Sequence, residues 1–110
     1  MDLSLLAKKI GACLVSPPGT AMPDVKAIHA SDTMSSLIAN ASSDTLLVTS
    51  LNNSQLIRVV ELMDAPGLCL VGGAQPSAEL IDRAREAGAS IVISPRGLEE
   101  TRRLLEACLA

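Results

Sequence analysis

The chain has 110 residues, 48% of them hydrophobic and 19% charged, with a net charge of −3; that is a globular composition for one domain, able to bury roughly two-thirds of its unfolded surface. It carries no basic block and no Phe, Tyr or Trp, so it lacks both the electrostatic footprint and the stacking platforms that nucleic-acid binding uses. No run approaches the roughly 20 apolar residues that span a bilayer, so no membrane partner is expected.

In chain order, Leu3, Leu6, Ala7 and Ile10 lie at helical spacing and Gly11 follows, which predicts a short helix with a glycine stop. Asp2 precedes these apolar residues and Lys8-Lys9 interrupts them, unlike a signal peptide. Ala12 to Val15 is a short apolar run, "SPPGTAMP" a loop, and Val25 to Ala30 a strand. Lys26 and His29 make that strand less buried than those that follow.

A rhythm then sets in. Leu46-Leu47-Val48, Leu68 to Val71 and Ile91-Val92-Ile93 are apolar runs about 22 residues apart, each followed by turn residues and a helical pattern. Continuous apolar strands alternating with helices predict a single three-layer α/β domain over residues 1–110, with a mostly parallel sheet and helices on both faces. Met34, Leu37, Ile38 and Ala41 form one helical stripe; Leu80, Ile81, Ala84 and Ala87 form another, closed by Gly88, with Glu79 and Arg83 paired on the wet side. The last helix uses Leu98, Leu104, Leu105 and Cys108. Between them, Ser54 to Asp64 is apolar beyond one face. Leu56, Val59, Val60 and Met63 supply a core stripe, which leaves Ile57 and Leu62 for a second packing surface. That surface is either a subunit interface, giving a homodimer, or a neighbouring helix of the same chain.

In an open parallel sheet, ligands gather beyond the carboxyl ends of the strands. Four turns should meet there: Ser31 to Thr33, Ser50 to Ser54, Gly72 to Gln75, and Ser94 to Arg96. Asp32, Asn53 and Ser94 suit N-caps, and Pro95 suits a first helical position. Helix amino termini with Arg96 beside them would suit an anion. Capping and tight turning also explain every one of these residues. Neither GxGxxG nor GxxxxGK[ST] is present, and no cofactor is expected.

Catalytic signals are few. His29 is the only histidine, so no metal site is expected. His29 with Asp32 supports at most a small enzyme. Cys13, Cys69 and Cys108 show no CxxC spacing, and free thiols fit a reducing cytoplasm. Cys69, inside an apolar run, is expected in the core.

The segment "LCLVGGAQPSAELIDRAREAGASIVISPRGLEETRRLLE" resembles the second half of a DRTGG domain. The matching features are an apolar strand into Val71-Gly72-Gly73, then Pro76, a helix closing on Ala84, Ala87 and Gly88, and the strand Ile91-Val92-Ile93. Upstream, "HASDTMSSLIANASSDTLLVTSLNN" is similar to the stand-alone members. The resemblance is strongest over residues 25–108. Where the family has Asp-Arg this chain has Asn52-Asn53, and where it has Thr before the glycines this chain has Val71. DRTGG domains occur alone and attached to phosphotransacetylases and CBS-containing pyrophosphatases, and they are similar to the N-terminal domain of HPr kinase. The resemblance therefore implies a non-catalytic regulatory or dimerising module, serving a partner enzyme. A small phosphorylated metabolite or nucleotide would sit at Asn52, Asn53, Gly72, Gly73 and Arg96. A pure interaction module without ligand is the alternative.

Overall fold

The computed structural model describes residues 1–16, 19, 21–73 and 75–110. Pro17, Pro18 and Thr20 of the expected loop, and Ala74 of the glycine turn, lie outside the described residues. The elements run α1 (Leu3–Lys9), β1 (Cys13–Val15), β2 (Ala27–Ala30), α2 (Met34–Asn40), β3 (Thr45–Thr49), α3 (Gln55–Met63), β4 (Leu68–Leu70), α4 (Ala78–Ala87), β5 (Ile91–Ile93) and α5 (Leu98–Leu109).

The five strands form one sheet in the order β1-β5-β4-β3-β2. From β2 to β5 every neighbouring pair is parallel, with Leu47 beside Leu68 and Leu68 beside Ile91. The three apolar runs therefore lie side by side and point one way, as their two-sided greasiness requires. The short run at Cys13–Val15 is also a strand. It pairs antiparallel with β5 and closes that edge of the sheet.

Side chains of successive strand residues face opposite sides, and the core divides accordingly. On one face Leu47, Leu68, Leu70 and Ile91 pack under Leu37 of α2, Leu56, Ile57 and Val60 of α3, and Leu80 and Ala84 of α4. On the other face Leu46, Val48, Cys69 and Val92 pack under Leu3 and Leu6 of α1 and Leu105 of α5. The three consecutive crossover helices share one face because crossovers of one hand all return on the same side. Burying each of these leucines fully is worth about 1.5–3 kcal/mol, so the two sub-cores hold the sheet from both sides. Cys69 is in the core, and burial pushes its thiol up to about 12.

Two local features depart from the expected pattern. The buried stripe of α3 is rotated: Leu56, Ile57 and Val60 are buried, while Met63 is exposed. On α2 only Leu37 is buried, and Ile38 is 52% exposed. Helix termini differ too. Ser77 caps α4, its Oγ accepting from the Leu80 N–H at 3.1 Å. Gly88 ends α4 in the left-handed region at φ +70°, the place where glycine loses nothing for lack of a Cβ clash. Helix α5 starts at Leu98 behind Gly97, so neither Ser94 nor Pro95 belongs to its first turn.

Candidate functional site

The carboxyl ends of β2 to β5 do bring the four expected turns to one rim, and hydrogen bonds join each turn to the next. Asp32, after β2, accepts from the Ser50 N–H at 2.9 Å and from the Ser50 hydroxyl, after β3. These bonds hold the Asp32 carboxyl below the usual aspartate range. Asn52, after β3, reaches the turn after β4 twice: its Nδ2 donates to the Gln75 carbonyl at 2.8 Å, and its Oδ1 accepts from the Ser77 N–H at 3.0 Å. That turn is tied in the same way to the one after β5. The Gly72 N–H donates to the Arg96 carbonyl at 2.6 Å, and the Gly73 N–H donates to the Ser94 carbonyl at 3.1 Å. Finally, Arg96 Nη1 donates to the Ile10 carbonyl at the end of α1, while its Nε lies 3.6 Å from Glu100. One belt thus runs from β2 across the rim to α1.

The glycines make this belt possible. Gly72 and Gly73 have φ of +81° and +72°, a double left-handed turn that side-chain-bearing residues adopt at a cost of about 1–2 kcal/mol each. The turn aims both amides at the β5 exit. Here α4 leaves to one face of the sheet and α5 to the other, which is where an open α/β sheet parts to form a crevice. The two glycine amides span that parting, and their donors are used by protein carbonyls.

Each expected rim residue therefore has a structural partner. Asn53 Oδ1 accepts from the Gln55 N–H at 2.9 Å, close to the expected capping role, although the cap position itself is Ser54. Asp32 is not the cap of α2; Thr33 occupies that position, and Asp32 spends its carboxylate on Ser50. Ser94 is not a cap either. Its buried hydroxyl bonds Thr101 Oγ1 at 2.8 Å and also accepts from the Arg96 N–H. His29 Nε2 lies 2.9 Å from Ser36 Oγ. Histidine and aspartate are thus each engaged with a different serine rather than aligned as an acid–base pair. Among the described residues, no group of three or more His, Cys, Asp or Glu side chains could hold a metal ion, and no helix is long and apolar enough to cross a membrane.

Sequence reasoning placed Ser50 in a rim turn without its partner Asp32, and passed over Ser77 and the Ile10 carbonyl; these three close the belt. Ser77 carried a usable signal, a serine directly ahead of the helical stripe beginning at Ala78. The other two are partners in space only.

Of the two residues assigned to a second surface, Ile57 is 2% exposed and belongs to the core under α4 of its own chain. The neighbouring helix, not a subunit, covers it. Leu62 is 74% exposed.

A second concavity lies at the opposite end of the sheet. A cleft of about 520 Å³ opens at the amino ends of the strands, between Lys26, Asp44, Pro66 and Ser90, with Glu61 and Asp64 on its wall. The carboxyl ends of α3 and α4 border it, so helix dipole and carboxylates alike make it unfavourable for an anion.

No protein-family model matches the chain, and no curated protein matches it. Among solved structures it is similar to the CBS and DRTGG domains of the regulatory region of Clostridium perfringens pyrophosphatase, determined in complex with the activator diadenosine tetraphosphate. The TM-score is 0.74 at 16% identity, over 94% of this chain and 45% of that one. The chain thus spans less than half of that structure's length. The likeness is one of fold, and it bears out the resemblance to DRTGG domains drawn from the glycine turn and the helix–strand order after it.

Proposed function

We propose that this chain is a non-catalytic regulatory module, 1–110 acting as one DRTGG-like unit, that responds to a small phosphorylated metabolite or nucleotide at the carboxyl rim. The observation that carries this reading is the belt, because it makes one mechanical unit of four turns and the end of α1. A phosphate group that takes the Gly72 and Gly73 amides displaces the Arg96 and Ser94 carbonyls. That loosens the β5 exit and with it the seat of Arg96 on α1. Asn52, Asn53 and Arg96 stand at the same rim to hold the rest of the ligand. The likeness to a regulatory region solved with a nucleotide activator supports the direction of this reading. The module works as a homodimer, in a reducing cytoplasmic setting suited to its free thiols, beside a partner enzyme.

Thermal denaturation with diadenosine tetraphosphate, ATP and acetyl phosphate tests it. A ligand at a hundred times its Kd adds about 2.7 kcal/mol of stability, and Asn52→Ala should reduce that gain. If none of the three moves the transition, the sensing role is wrong. The second reading, an interaction module without ligand, then stands. It is favoured by the prior engagement of both glycine amides and by the exposure of Leu62.

A further inference from the structure

Helices α3 and α4 both cross from the carboxyl to the amino end of the sheet on the same face, so they run parallel. Between them lies a groove of about 340 Å³, lined by Ile57, Arg58, Glu61, Leu62, Arg83 and Glu86. Its charges repeat. On α3 an arginine, Arg58, is followed three residues later by Glu61; on α4 Arg83 is followed three residues later by Glu86. Because the helices are parallel, both arginines lie toward one end of the groove and both glutamates one turn further on, toward the other. The groove is therefore polar along its length, basic at the amino-terminal end and acidic at the carboxyl-terminal end, and neutral in sum. Arg83 has only a weak contact to Glu79, at 3.8 Å and solvent-exposed. Among the described residues, Arg58, Glu61 and Glu86 form no ion pair. At the acidic end stands Leu62, an apolar side chain 74% exposed.

We infer that the occupant of this groove is a second copy of the chain, docked antiparallel across a two-fold axis perpendicular to α3 and α4. This deepens, and rests on, the homodimer reading above. Half-turn rotation about such an axis brings the basic end of each groove onto the acidic end of the other, so one charge pattern complements itself, as an isologous contact requires. The same operation carries each exposed Leu62 onto the other copy's α3, where the contact covers it. A partner of one charge sign would meet two repelling groups for every two attracting ones; an inverted copy meets none.

Sedimentation equilibrium of three proteins and one mixture tests this. The native chain should be a dimer. R58E/R83E has a wholly acidic groove and E61R/E86R a wholly basic one. Each alone should self-associate about a hundredfold more weakly, since like charges are brought face to face. The two mixed should regain the dimer, and this recovery also shows that both variants fold. Leu62→Glu should weaken the native dimer as well. If the native chain sediments as a monomer, the homodimer reading itself fails. If the native chain is a dimer and both charge variants stay dimeric alone, the dimer exists but its contact lies on another face, and only the present inference is overturned.

Discussion

The two rims of the sheet are built from the same strands yet behave as opposites. At the carboxyl rim helix amino termini converge, and their neighbours are amides, hydroxyls and one arginine, wired to each other from Asp32 to Ile10. At the amino rim helix carboxyl termini converge, and Asp44, Glu61 and Asp64 stand around an open cleft. The place with the right chemistry for an anion is thus already closed by internal partners, and the place with open volume has the wrong sign. What decides a site in this fold is which donors the protein has left uncommitted, and strand direction alone does not reveal that.

Substitutions at the two rims should separate them. The largest effect belongs to the amino rim. Gly67 sits where a Cβ would come within 2.8 Å of the Ser90 carbonyl oxygen and 3.2 Å of Leu3 Cδ2. Gly67→Ala must therefore push backbone against backbone. It should cost about 2–3 kcal/mol in urea unfolding, and a cost under half a kcal/mol would mean that the approach relaxes freely. At the carboxyl rim, Asn52→Ala removes two interloop bonds at once. It should cost about 1–2 kcal/mol and speed hydrogen exchange at Ser77 while leaving the amides of β4 protected. Equal acceleration in both places would show that the belt is not a separate unit.

Acid should reach the carboxyl rim through Asp32. Its folded carboxyl is held low by the Ser50 bonds, so the stability it adds is fully present above the usual aspartate range. That stability is lost as pH falls through the lower folded value. Asp32→Asn should flatten this acid limb of the stability profile by about 1 kcal/mol, since solvent screens so exposed a carboxylate. An unchanged profile would assign the acid sensitivity elsewhere. An effect of similar size returns to the amino rim. Gly88→Ala at φ +70° should cost about 1 kcal/mol without altering ligand response at the other end.

The parts of this architecture legible from sequence are those set by local pattern. Leu46 to Val48, Leu68 to Leu70 and Ile91 to Val92 are greasy on both sides because both faces are covered, and α4 carries its own stop in Gly88. The illegible parts depend on partners distant in the chain. Cys13–Val15 is too short to show a period, and only β5 makes it a strand. Ser94 has the chemistry of a cap, but Thr101 claims its hydroxyl. Ile57 falls off a stripe drawn through Leu56, Val59 and Met63, yet α4 lies close enough to bury it. The rim followed the same division: its location was set by strand direction, whereas the engagement of Gly72, Gly73 and Arg96 depended on carbonyls of other turns.

The strand order has a kinetic corollary. Each of β3, β4 and β5 pairs with the strand just before it in the chain, so those contacts close shorter loops than the β1–β5 pairing and cost less entropy to form. Only β1, pairing with β5 from the far end of the sequence, has to wait for the rest. Pulse-labelled refolding should therefore protect the amides of β3 and β4 first and those of β1 last, with α1 clasped by Arg96 in the same late step.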